Sequence, residues 1–129
     1  MESDVLVVDD SAAIRKILQR VLRQTGMAIR TIHEAGDGQE ALEVMSAHKV
    51  DLVLTDINMP RMDGLQFLAS VKASPQWRLV PVVMITTEGG ETKVSEAVKL
   101  GAAGYVRKPF TADQIKEKLA GILESAVPL

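Results

Sequence analysis

Three carboxylates and one ammonium stand where chemistry is feasible. Asp9 and Asp10 follow the apolar run Val5–Val8, and Asp56 follows Leu52–Thr55. A carboxylate at the end of a buried strand is costly to ionise unless something neutralises it. Three of them on one sheet edge also repel one another. A divalent cation with oxygen ligands relieves both costs, and phosphate chemistry is what rewards such a centre. Lys108, after the run Gly104–Arg107, adds a positive charge, and Thr86, after Val80–Ile85, adds a hydroxyl.

The elements that must position these groups are legible in the pattern. Val5–Val8 is apolar at consecutive positions, as in a strand covered on both faces. Ser11 then caps a helix with Ile14, Ile17, Leu18, Val21 and Leu22 on one face. Arg15, Lys16, Gln19, Arg20 and Arg23 lie opposite and read as a solvated face, and Gly26 is the stop. Ala28–Glu34 reads as a second strand. Asp37 and Glu40 resemble a capping box for a helix burying Ala41, Leu42, Val44 and Met45. After the strand Leu52–Thr55 comes the loop 58–64, with Asp63 capping a helix over Gly64–Ala73 that Pro75 ends. Val80–Ile85 is the fourth strand, with Pro81 tolerated near its start. Glu91–Leu100 is a helix with a thin apolar face of Val94, Ala97 and Val98. Gly104–Arg107 is the fifth strand. Thr111 and Gln114 form a capping box for a last helix that buries Ile115, Leu119, Ile122 and Leu123.

Five β-α units in succession give an α/β fold, a parallel sheet with helices on both faces and right-handed crossovers. Ligands of such sheets bind beyond the carboxyl ends of the strands. Asp9, Asp10, Asp56, Thr86 and Lys108 all belong on that rim. The 129 residues suit one domain over 1–129, with 47% hydrophobic and 25% charged residues and a net charge of −2. No basic run points to direct nucleic-acid binding. The absence of cysteine excludes disulfides and thiolate chemistry. The start Met1-Glu2-Ser3-Asp4 does not read as a signal peptide, and no apolar run is long enough to cross a membrane, so a cytoplasmic protein is expected. His33 and His48 read as solvent-facing or locally satisfied, Trp77 as a loop anchor, and Met59 and Met62 as cover for the core edge.

Four motifs in register resemble one family: Val-Val-Asp-Asp-Ser, then Leu-Thr-Asp-Ile-Asn-Met-Pro with Met-Asp-Gly, then Ile-Thr-Thr, then Val-Arg-Lys-Pro-Phe. The chain resembles the receiver domain of two-component response regulators, of the stand-alone, CheY-like type. The resemblance implies a flavodoxin-like fold with strand order 2-1-3-4-5. It implies Asp56 as phosphoacceptor and Mg2+ (Mn2+ as substitute) held by Asp10 directly and by Asp9 largely through water. The Asp56 carboxylate and the Asn58 backbone carbonyl complete that metal site. Thr86 and Lys108 bind the phosphoryl oxygens, with Thr86 and Tyr105 as the switch pair. Asn58 and Glu88 are rim positions that tune phosphoryl lifetime, and Lys108-Pro109 is a cis peptide.

Such a protein takes its phosphoryl group from a histidine kinase. It then presents an altered surface of the fourth helix, fifth strand and fifth helix to a downstream target protein, possible pathways including chemotaxis. It acts as a monomer and is no ordinary enzyme, beyond its own phosphorylation and autodephosphorylation. Three other readings stand beside this one. A receiver cut from a longer transcription factor or hybrid kinase carries the same motifs. A phosphohydrolase with an aspartyl nucleophile wants a second aspartate two positions on, where Ser11 and Ala12 stand. A flavin-binding protein wants a hydroxyl- and glycine-rich phosphate loop after the first strand, where the turn is acidic.

Overall fold

The computed structural model describes residues 2–86 and 91–126. Ten elements alternate: β1 (Ser3–Val8), α1 (Ala12–Gln24), β2 (Ile29–Ala35), α2 (Gly38–Ala47), β3 (Leu52–Asp56), α3 (Gly64–Ala73), β4 (Val82–Thr86), α4 (Glu91–Lys99), β5 (Gly104–Arg107) and α5 (Ala112–Ala126). All neighbouring strands pair in parallel, in the order β2-β1-β3-β4-β5. The expected architecture and strand order are therefore both present.

The continuous apolar strands make sense once both faces are followed. Side chains of a strand alternate between faces. Leu6, Val8, Val53, Val82 and Met84 join Ala41, Met45, Phe67, Leu68, Val71 and Ala97 on the side of α2, α3 and α4. Val5, Val7, Leu52, Leu54, Val83 and Ile85 join Leu18, Leu22, Ile115 and Leu119 on the side of α1 and α5. Burying one such Leu or Phe side chain contributes about 1.5–3 kcal/mol, so these two layers hold the sheet rigid beneath its rim.

Helix starts follow the expected chemistry. Ser11 accepts from the Ile14 amide at 3.3 Å, and Asp37 accepts from Glu40 at 2.9 Å. Reciprocal boxes close at α3, where Asp63 and Gln66 exchange bonds of 2.8 and 3.0 Å, and at α5, where Thr111 and Gln114 exchange bonds of 3.2 and 2.9 Å.

Several expectations need correction. β2 runs one residue later than the apolar pattern suggested, and β4 starts after Pro81, whose carbonyl still accepts from Val53 at 3.0 Å. Ile17 is 41% exposed and Val98 is 56% exposed, so neither joins the core face assigned to it. Among the described side chains of α4, Ala97 alone is fully buried, a thinner attachment than the sequence implied. Leu123 lies outside the described side chains. His33 and His48 stack on each other, ring centroids 4.5 Å apart. Trp77, Met59 and Met62 pack against the core edge as expected.

Candidate functional site

The carboxyl ends of β1 and β3 lie side by side, because Val8 is in register with Thr55. Asp9 and Asp56 extend from those ends, and Asp10 follows in the turn. Oxygens of Asp9, Asp10 and Asp56 come within 4.8 Å of one another. β5 brings Lys108 to the same spot from the far side of β4. Its Nζ donates to Asp9 Oδ2 at 3.2 Å and lies 3.8 Å from Asp56 Oδ2, an ion pair rather than a hydrogen bond.

The three acids are held differently. Asp9 is 1% exposed, and its Oδ1 accepts from the Ser11 amide at 2.9 Å. Asp10 is exposed. Asp56 is partly buried, and its Oδ1 accepts from the Ile57 amide at 2.8 Å. Burial pushes the Asp56 carboxyl above its usual range, Lys108 pulls it back, and Asp9 and Asp10 push it up again. The cluster thus carries more negative charge than one ammonium balances. An all-oxygen donor set with surplus negative charge suits a hard divalent cation such as Mg2+ or Mn2+ and offers nothing to a thiophilic metal.

Around this centre, Thr86 ends β4 and is buried, with its carbonyl accepting from the Lys108 amide at 2.7 Å. Lys108-Pro109 is cis. Tyr105 faces outward, 38% exposed, with Lys118 Nζ 5.8 Å from its ring centre. Asn58 is exposed, and its Oδ1 accepts from Lys93 Nζ of α4 at 2.6 Å. Glu88 lies outside the described residues. Gly64 explains how close α3 can start: a Cβ there would run into the Asp56 carbonyl and stand 2.9 Å from Ile57 Cα. Its amide instead donates to Ile57 O at 2.7 Å.

Three supporting side chains escaped the reading of the sequence. Arg15 is not part of a solvated face. Its Nη1 donates to the Asp9 carbonyl at 2.7 Å, and its Nε pairs with Glu34 Oε1 of β2 at 3.0 Å. Periodicity placed it opposite the core, but a position one turn into α1 also looks back at the β1 end. Arg61 adopts φ 62°, rare without glycine, and its Nε pairs with Asp37 Oδ2 at 2.7 Å. Lys93 gave no local signal, because its link to Asn58 spans 35 residues.

Comparison with known proteins agrees with this geometry. Residues 5–120 match the model of the response regulator receiver domain. The chain is 40% identical to chemotaxis protein CheY-3 of Vibrio cholerae, over 93% of this chain and 91% of that protein. It is 41% identical to CheY1 of Helicobacter pylori, over 92% and 95%. Among solved structures, CheY4 of Vibrio cholerae superposes with TM-score 0.80 at 33% identity, covering 95% of this chain and 99% of that one. The receiver domain of NtrX from Brucella abortus gives 0.83 at 35%, covering 95% and 99%. Receivers are signalling switches rather than classical enzymes, and fold, acidic rim and family match converge on one conclusion: the chain belongs to the response regulator receiver domain family.

Proposed function

We propose that Asp56 is the phosphoacceptor of a two-component switch, residues 1–129 forming one receiver domain. The observation that supports it most directly is the placement of Asp56. Its Oδ1 is fixed by Ile57, its Oδ2 faces Lys108, and two further carboxylates lie within 4.8 Å. Asp56 Oδ2 attacks the phosphorus of a kinase phosphohistidine. The O–P bond forms as the N–P bond breaks, and the imidazole leaves with its electron pair and takes up a proton. Mg2+, or Mn2+ in its place, would supply neutralisation of oxygen charge during the transfer. Asp10, exposed, would hold it directly. Asp9, whose carboxylate already accepts from Ser11 and Lys108, would act largely through water. The Asn58 carbonyl and Asp56 would complete the set.

Lys108 holds the phosphoryl oxygens as a point charge, and Thr86 adds a hydroxyl donor. Moving a switch from 1:99 to 99:1 takes about 5.5 kcal/mol. Hydrogen bonds to charged groups contribute about 1.5–3 kcal/mol each, so two or three suffice. As Thr86 moves toward the phosphoryl, Tyr105 turns inward from its exposed position and the α4-β5-α5 surface changes for a downstream target. Asn58 and Glu88 set phosphoryl lifetime, and water on the rim hydrolyses the acyl phosphate. The relatives named as chemotaxis proteins support chemotaxis as the pathway, and the working form in this reading is a cytoplasmic monomer. No helix among the described residues is long and apolar enough to cross a membrane.

Acetyl phosphate with Mg2+, followed by intact mass, tests the assignment. Wild type gains one phosphoryl mass and Asp56→Asn gains none. Equal labelling of both would remove Asp56 from the role.

A further inference from the structure

Charge at the site does not balance after modification. The phosphorylated Asp56 carries about two negative charges, and Asp9 and Asp10 add two more. A divalent cation and Lys108 supply three positive charges, which leaves one negative charge without a partner. Buried or partly buried charge in that position attracts the nearest mobile cation.

The basic side chains bordering the rim are not equally available. Arg15 is paired with Glu34 and Arg61 with Asp37. Lys93 is different: its Nζ is held at 2.6 Å by Asn58 Oδ1, a neutral amide two residues after Asp56. A hydrogen bond to a charged oxygen is roughly twice as strong as one to a neutral oxygen. The lysine stem is long and flexible, and Lys93 is exposed. It also belongs to α4, of whose described side chains Ala97 alone is fully buried.

We infer that Lys93 is a second phosphoryl-binding cation, parked on Asn58 in the unmodified chain and transferred to a phosphoryl oxygen when Asp56 is modified. Asn58 is then its competitor for that ammonium as well as its resting place. The exchange ties the first turns of α4 directly to the modified residue, beside the route through Thr86 and Tyr105. This inference rests on Asp56 being the acceptor.

The test is titration of the whole chain with beryllofluoride, a phosphoryl mimic, in excess Mg2+, read by 19F NMR. Lys93→Met is expected to weaken binding about threefold to fivefold, the range of an exposed ion pair. Lys93→Glu weakens it further, and Lys93→Arg stays near wild type. Raising salt shrinks the difference between wild type and Lys93→Met. Asn58→Ala shifts binding toward tighter in the Lys93 background relative to its effect in Lys93→Met, a coupling between the two positions that loss of helix stability does not produce. Lys93→Met equal to wild type, or an equal effect of Asn58→Ala in both backgrounds, overturns the inference while the Asp56 assignment stands. No bound fluoride signal in wild type, or an unaltered one in Asp56→Asn, sinks the parent reading and this one together.

Discussion

The two ends of the central sheet hold aspartates in opposite ways. At the amino end, Asp4 is 6% exposed and takes Arg30 in a two-point grip at 3.1 and 2.6 Å. Its backbone is laced to Asp51 through bonds of 2.8 Å in both directions. The Arg30 hydrogen bond holds the Asp4 carboxyl below the usual carboxylate range, against the upward push of burial. At the carboxyl end, Asp56 shares one ammonium with Asp9 and is pushed above that range, chiefly by burial. One acid is satisfied and stabilises the fold. The other is held at a cost that folding alone does not explain, and this kind of imbalance marks functional sites.

The sharpest way to break this contrast is metal binding. Asp10→Asn should lower Mg2+ affinity at least tenfold and Asp4→Asn should leave it unchanged, measured by calorimetric titration. Equal losses would mean that the acids at the two ends are not different in kind. Arg15→Met comes next. Supporting residues of metal sites cost about 10–100-fold in affinity when removed, and the lower end is expected here because Arg15 grips the Asp9 carbonyl rather than its carboxylate. Mn2+ binding followed by electron paramagnetic resonance reads this without any phosphodonor.

Stability provides the third arm. Gly64→Ala forces backbone apart beneath Asp56, where overpacking costs about 1–3 kcal/mol, the upper end being expected because the obstructing atoms are main chain. Urea unfolding of the variant measures it. The fourth arm compares pH profiles in the absence of metal. A raised Asp56 lets the folded state bind a proton more readily than the unfolded one. Its penalty is absent below about 3.8 and grows as pH rises through the folded value. Asp56→Asn should therefore raise Tm at neutral pH, by about 3–5 °C per kcal/mol relieved, with the gain gone in acid. A depressed Asp4 works the other way: its contribution is present above 3.8 and is lost as pH falls. Asp4→Asn should lower Tm at neutral pH and converge on wild type in acid. Shifts of the same sign for both variants would erase the distinction. The smallest effect is at Arg61, where Arg61→Gly keeps the positive φ available and should lose less stability than Arg61→Ala.

Much of this was legible in the residues alone. Consecutive apolar positions, caps at Ser11, Asp37, Asp63 and Thr111, and the motifs at Asp9-Asp10, Asp56 and Lys108 specify five β-α units and one acidic rim. These signals are local or repeat at a fixed period. What escaped depends on tertiary geometry. The arms of Arg15, Arg61 and Lys93 find partners 19, 24 and 35 residues away. The Asp4–Arg30 grip likewise spans 26 residues. Val98 misled because helical period alone does not say how deeply a helix is seated.

The loop after Asp56 is restrained unevenly. On its α2 flank, Gly38 donates to the Met62 carbonyl at 2.9 Å, Arg61 pairs with Asp37, and a Cβ on Gly38 would strike Met62 and Phe67. On its α4 flank, the side-chain link among the described residues is the bond from Lys93 to Asn58. One margin is bolted and the other is on a tether. Were Asp56 modified as proposed, the disturbance would meet, among the described residues, the lighter side-chain restraint on the α4 side. On the proposed reading, the direction in which news of a modification would leave the site is already prepared in the resting protein.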